Sequence, residues 1–197
     1  RDPYAVWLSE IMLQQTQVNT VIPYYARFMQ EFPTLSSLAQ APLDAVLVIW
    51  SGLGYYSRAR NLHLAARMIM QDYQGQFPDT RVILQKLPGI GRSTAAAIAV
   101  FVFNKREAIL DGNVKRILTR YFGIAGYPEE SRIKNLLWEK AEEVLPVTYH
   151  ENQIETYTQA LMDLGATVCI RHTPICKACP LQQHCVAFKE KRVDQFP

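Results

Sequence analysis

All four cysteines of this 197-residue chain, Cys169, Cys176, Cys179 and Cys185, fall within seventeen residues near its end, spaced C-x6-C-x2-C-x5-C. The 168 residues before them carry none. A fold that accepts this pattern has to turn a short loop back on itself. Four thiols so close together suit closed, all-sulfur ligation of a metal ion or of an iron–sulfur cluster. Two disulfides are the weaker reading, because disulfide-dense domains are small and secreted, whereas this is a sizeable domain with no signal peptide in view. Spacing alone does not choose between zinc and a cluster. Zinc sites more often pair two C-x2-C clips and only one occurs here, while Pro180 after Cys179 leans toward a cluster. His184 is a spare zinc ligand, although a histidine beside a cysteine is commonly just a neighbour.

The remainder reads as helix. Apolar residues recur at helical spacing in Tyr4–Leu13, Val18–Phe28, Leu43–Trp50, Leu62–Ile69, Thr94–Phe103, Val114–Tyr121, Ile133–Val144 and Ile154–Leu164. Breaks are expected at Pro23, Pro33, Pro42, Gly52–Gly54, Pro78, Pro88–Gly91, Gly112, Gly123–Pro128, Pro146 and Gly165. No long stretch alternates with period two. With 49% hydrophobic and 20% charged residues, the chain is a globular all-α protein of about ten helices, in two lobes with a cleft between them. No apolar run is long enough to span a bilayer. Asp2 is placed as an N-cap and Pro3 as the first helical residue, so the chain reads as trimmed from a longer protein.

The net charge of +3 is unevenly spread. Residues 51–120 hold eleven basic and four acidic side chains, and the segments on either side are each net acidic. Because this basic block coincides with glycine turns and the pair Tyr55-Tyr56, it has the makings of a polyanion-binding surface.

Three segments carry chemistry. In Leu87-Pro88-Gly89-Ile90-Gly91-Arg92-Ser93-Thr94-Ala95 two glycines make a tight turn into a helix whose first N–H groups form a phosphate seat. An ordinary helix–helix turn is the plainer reading. No strand precedes it and no Gly-Lys-Ser/Thr follows, so it is not a nucleotide loop. In the second segment, Glu10 shares a helix face with Val6 and Leu13, where apolar neighbours desolvate a carboxylate and suit it to donate a proton. It reads equally as part of a narrow polar stripe with Ser9 and Gln17. In the third, Asp111 precedes a helix as an N-cap. A capping carboxylate held ionised by helix-end N–H groups is also a fixed anion that can face a developing cation.

These segments and the cysteines together resemble the MutY adenine DNA glycosylases, within the helix-hairpin-helix, iron–sulfur glycosylase superfamily that includes endonuclease III. The resemblance runs from Asp2 to about Phe188. It rests on W-L-S-E-I-M-L-Q-Q-T (7–16), G-L-G-Y-Y-S-R-A-R-N-L (52–62), L-P-G-I-G-R-S-T-A (87–95), L-D-G-N-V-K-R (110–116), M-D-L-G-A (162–166) and the cysteine run. The resemblance implies removal of adenine mispaired with 8-oxoguanine or guanine, the adenine being flipped out of the duplex. It implies that Glu10 protonates adenine N7, that Asp111 stabilises the oxocarbenium-like sugar, and that Asn113 positions the intermediate or its water. It places a [4Fe–4S] cluster on the four cysteines, with zinc as the alternative. It gives lobes of residues 16–121, with the hairpin at about 80–103, and of residues 1–15 plus 122–197. The implied protein is a cytoplasmic, nucleoid-associated bacterial monomer.

Relatives of the endonuclease III type carry a lysine in the hairpin that attacks the sugar; here the matching position is Ser93, which cannot form a Schiff base. By the same resemblance Gln15 and Tyr55 wedge into the base stack, Thr16 and Leu53 lie at 8-oxoguanine, and Gln159 lines the adenine pocket. Thr158 departs from the asparagine expected before Gln159. Gly89, Gly91 and Ser93 hold the backbone near the flip, the basic residues of 51–120 add salt-sensitive affinity, and Arg171, Lys177 and Lys189 lie near phosphates. The family usually has a leucine-proline-tryptophan segment ahead of Asp2 and a C-terminal domain that reads 8-oxoguanine. Without the latter, weaker preference for 8-oxoguanine over guanine is expected. Two alternatives remain: a thymine-removing mismatch glycosylase of the same superfamily, and a non-catalytic helix-hairpin-helix DNA-binding module.

Overall fold

A computed structural model describes residues 1–147 and 152–196. They form eleven α-helices and three single 3-10 turns, with no strand among the described residues. Two compact units result, Arg1–Lys105 and the stretch from Arg106 onward. This division by packing places residues 1–15 in the first unit and 106–121 in the second, unlike the lobes the family resemblance implies.

The first unit holds α1 (Pro3–Leu13), α2 (Val18–Glu31), α3 (Leu35–Gln40), α4 (Leu43–Trp50), α5 (Tyr56–Asp72), α6 (Arg81–Leu84) and α7 (Arg92–Phe103). Asp2 caps α1 as the sequence indicates, its Oδ1 accepting from the Tyr4 N–H at 3.0 Å, with Pro3 in the first turn. Trp7, Leu8, Phe28, Leu38, Trp50, Leu62, Ile69, Leu84 and Ile98 are almost wholly withdrawn from water. At the centre lies α7, buried over Ala95–Phe101. Its alanines offer little side-chain volume, so α1 and α6 pack closely against it. The described helices include none long and apolar enough to cross a membrane.

The second unit is built on α8 (Gly112–Phe122), against which pack α9 (Ser131–Glu143), α10 (Gln153–Thr167) and α11 (Val186–Lys189). Val114, Ile117 and Leu118 are its apolar stripe, and Gly123 closes it in the left-handed conformation at φ 68°.

Two expected breaks do not occur. Pro23 lies inside α2, where the hydrogen bond it omits frees the carbonyl of Asn19, an exposed residue that water can satisfy. Gly165 lies inside α10 because the helix needs it there: a Cβ would stand 2.5 Å from the Asn113 Cβ and 3.1 Å from its Cα. The glycine marks close approach of α10 to the start of α8 rather than a helix end. Three helices went unread: α3, six residues between Pro33 and Pro42 but with a full Thr34–Ser37 capping box, and the four-residue α6 and α11. In addition, α5 begins six residues before Leu62.

Candidate active site and cysteine cluster

In the first unit, Glu10 sits on the half-buried stripe of α1 with Val6 and Leu13, while Tyr4, Trp7, Leu8, Ile11 and Met12 face the core. The carboxylate is thus partly desolvated and still reachable. Beyond α1 the chain turns sharply, since Gln15 adopts φ 55° and is exposed. The Gln14 side chain reaches across to the glycine hairpin, its Nε2 donating to the Gly89 carbonyl and Thr94 Oγ1, both at 3.3 Å. Thr16 is half-buried, with its hydroxyl donating back to the Gln14 carbonyl.

The hairpin has the form its sequence indicates. Gly89 has φ +77°, and a Cβ there would stand 2.9 Å from the Asn61 Cβ, so glycine is demanded twice over. Gly91 is the N-cap of α7; it carries no capping side chain and has open space around it. Ser93 is half-buried in the first turn that follows.

The 51–56 turn ends in Tyr55, left-handed at φ 48° and 58% exposed. Leu53 is only 5% exposed and packs inward. Beneath both turns lies Arg58, 7% exposed. Its Nη1 donates to the carbonyls of Ile11, Met12 and Gln14 at 3.2, 2.7 and 2.6 Å. Its Nη2 donates to those of Leu53 and Gly54, each at 3.3 Å.

In the second unit, Asp111 caps α8: its Oδ1 accepts from the Val114 N–H at 2.8 Å. Burial pushes its carboxyl above the ordinary carboxylate value, while the backbone N–H groups of Val114 and Asn113 and the cations Arg116 and Lys115 pull it back down. The anion therefore stands where its surroundings oppose its charge. Asn113 lies against Gly165 and accepts at Oδ1 from Arg116 Nη2 at 2.7 Å. The same guanidinium donates to the carbonyls of Gly165 and Cys169, again at 2.7 Å. Gln159 is exposed on α10 with its amide on Asp163, and the neighbouring Thr158 is buried.

The four cysteines are free, half-buried thiols lining one cavity of about 30 Å³ together with Arg120 and Phe188. Disulfides are therefore not the arrangement here. Arg120, 3% exposed, donates to Cys169 Sγ at 3.4 Å and to the carbonyls of Ile170 and Arg171 at 2.8 and 2.9 Å. Burial, and then the neighbouring thiolates, push the Cys176 thiol up; burial does the same at Cys179. A positive group bound among these sulfurs would relieve that cost. Among the described residues, no three Cys, His, Asp or Glu side chains are gathered tightly enough to hold a single metal ion. A ring of thiols around a cavity fits a larger, sulfur-ligated group in donor chemistry. His184 is exposed and does not line this cavity.

The basic block is thereby divided. Arg58, Arg116 and Arg120 bind carbonyls within their own units, and Arg106 binds those of Leu145 and Pro146. Arg60, Arg67 and Lys86 remain exposed. No sequence signal separates these two groups, because buried Arg58 and exposed Arg60 and Arg67 lie in the same helix, α5.

A family model for the HhH-GPD superfamily of base excision DNA repair proteins matches residues 8–143. The chain belongs to that superfamily. This HhH-GPD chain is 47% identical to the adenine DNA glycosylase of Buchnera aphidicola subsp. Baizongia pistaciae, a match covering 100% of this chain and 54% of that protein. It is 44% identical to the adenine DNA glycosylase of Homo sapiens, over 99% of this chain and 35% of that one. The chain thus spans about half or less of the length of these curated relatives. Among solved structures, a thermostable thymine-DNA glycosylase superposes with a TM-score of 0.85 at 29% identity, covering 96% of this chain and 86% of that one. A non-covalent endonuclease III–DNA complex superposes at 0.80 and 23% identity, covering 97% and 86%, which establishes the helical fold alone.

Proposed function

We propose that this chain is the catalytic region of a base excision repair enzyme that removes adenine mispaired with 8-oxoguanine or guanine, acting on double-stranded DNA without lyase chemistry. Two observations carry the reading. The similarity to adenine DNA glycosylases runs over the whole chain at 47% identity, and its Asp111-Gly112-Asn113 segment folds as a half-buried helix cap opposed by its own surroundings.

The chemistry follows from the residues. Flipping exposes adenine to Glu10, whose carboxyl donates a proton to N7 and turns the base into a leaving group. As the glycosidic bond breaks, the sugar gains positive charge beside Asp111. An anion that burial disfavours in the free protein gains most when a cation develops next to it, so the stabilisation is concentrated in the transition state. The pairing of one proton-donating and one ionised carboxyl parallels glycoside hydrolysis. Asn113, fixed by Arg116 and Gly165, positions the intermediate or its water. Ser93 leaves the hairpin without an amine for sugar attack.

Gln15 and Tyr55 are the wedge residues of this reading, and exposure on strained turns fits that use. Gly89, Gly91 and Ser93 hold the phosphate backbone. Thr16, Leu53 and Gln159 take contacts at the mispair and the adenine pocket. Cys169, Cys176, Cys179 and Cys185 would hold a [4Fe–4S] cluster, which ties the loop together and supplies no step of the reaction. The lobe division implied by the family belongs to this proposal.

The 0.85 superposition on a thymine-DNA glycosylase favours a second reading, removal of thymine opposite guanine. A substrate panel decides between them: adenine opposite 8-oxoguanine, adenine opposite guanine, and thymine opposite guanine, each read after alkali and without it. Strand breaks in the two adenine duplexes only after alkali are the expected result. Breaks confined to the thymine duplex would transfer the assignment.

A further inference from the structure

Arg58 has no role in the chemistry above, yet it makes more described hydrogen bonds than any other side chain in the first unit. We infer that Arg58 is a positioning residue that locks the Gln15 turn and the Tyr55 turn into one rigid wedge; this rests on the proposed base-flipping function. Its five acceptors divide between the two turns. Ile11, Met12 and Gln14 are the closing carbonyls of α1, immediately before Gln15. Leu53 and Gly54 immediately precede Tyr55. One planar fork thus joins two segments separated in sequence by α2, α3 and α4.

Two aromatic rings lie against the fork. Its carbon centre lies 5.5 Å from the Trp50 ring and 5.2 Å from the Tyr55 ring, within cation–π range. Trp50 adds its indole N–H to the same Gly54 carbonyl at 3.1 Å. Gln14 ties the first turn to the hairpin through Gly89 and Thr94. The cost of the arrangement is visible in Arg58: desolvation pulls its pKa down, and its buried Nε lacks an acceptor. Every described hydrogen bond from it goes to a carbonyl oxygen, and a buried cation bound only by carbonyls is a poor stabilising device compared with an apolar side chain. It has a clear use as a spacer. Gln15 and Tyr55 both hold positive φ with full side chains, a backbone state that persists only where surrounding structure enforces it. Lysine cannot replace the fork, because an ammonium has three donors and no plane.

The test is a mutant cycle on single-turnover adenine excision, comparing Arg58→Lys, the double wedge variant Gln15→Ala/Tyr55→Ala, and the triple combination. Acting through the wedge, Arg58→Lys slows excision from duplex by about 100-fold, the scale of a misplaced positioning group. It adds less than 3-fold in the wedge-less background, so the cycle is strongly non-additive. It also leaves the response of 2-aminopurine, placed beside the mismatch, at the level of the wedge-less protein on binding. Additive losses, or a normal 2-aminopurine response in Arg58→Lys, would overturn the inference while leaving the enzyme assignment intact. A wild-type protein that releases no adenine would instead overturn the function; the 2-aminopurine response on binding alone would still report the wedge. If Arg58→Lys does not fold, Trp50→Phe, which removes the second donor to Gly54, takes its place in the cycle: non-additive losses support the lock, and additive losses overturn it.

Discussion

In the proposed reaction, Asp111 serves chemistry and stability in opposite senses. Its carboxyl titrates higher folded than unfolded, because burial outweighs the N–H groups and cations around it. The folded state therefore binds the proton more tightly, and stability drains away as pH rises from the unfolded carboxylate value through the raised one. Asparagine keeps the cap to Val114 and carries no charge to desolvate. Asp111→Asn is thus expected to melt higher than wild type at neutral pH, with the gap closing below about pH 4, and to lose about a thousandfold in excision rate, within the range of such groups. Thermal melts across pH and single-turnover rates check the two halves. Gly165 makes the opposite case: the seat of Asn113, which the proposal places beside the sugar, depends on a missing methyl. Gly165→Ala drives a Cβ into the Asn113 backbone, and the overpacking is expected to cost about 1–3 kcal/mol in urea denaturation.

Between residues and the molecule stand the elements, and here the cysteine loop has the least of its own to hold it. From Ala166 to Phe196 only Ala187 and Phe196 are buried apolar residues, so three 3-10 turns, the short α11 against α8 and the Arg120 fork carry the segment. Such a loop has too little apolar burial to order itself. Removing the proposed cluster with an iron chelator under oxidising conditions, or replacing Cys179 with serine, is expected to open 169–185 to protease, abolish visible absorption and lower the melting temperature. Intact protease resistance in a colourless, zinc-containing protein would contradict the cluster. The loop's convergence was legible from cysteine spacing, as were the hairpin glycines and both caps, Asp2 and Asp111. The buried arginines were not. Arg58 lies in the opening of α5, so the apolar pattern starts only at Leu62 and the helix read six residues short. Gly165 and Pro23 misled for a related reason: what a neighbouring helix or an exposed carbonyl tolerates is absent from local pattern.

At the scale of the whole molecule, charge decides how the chain meets a polyanion. Only part of the basic block is free for that, since Arg58, Arg116 and Arg120 are committed to carbonyls. Substituting exposed Arg60 or Lys86 with glutamine is expected to lower the slope of log affinity against log salt by up to about 1 each, with melting temperature unchanged. Arg120→Gln is expected to leave that slope alone and destabilise the second unit. Fluorescence anisotropy over a salt series distinguishes them.

Adenine release governed by Glu10 and Asp111 is the heart of the proposed function, and it is read out by detecting the free base. Duplex with one adenine opposite 8-oxoguanine is incubated with wild-type protein, Glu10→Gln or Asp111→Asn, and the small-molecule fraction is examined by mass spectrometry. Free adenine at one equivalent per enzyme in the first turnover with wild type, and none on the same timescale with either variant, is the predicted result. Undiminished adenine release by Glu10→Gln, or release of thymine from a thymine–guanine mismatch with none of adenine from the 8-oxoguanine duplex, would contradict the proposed function.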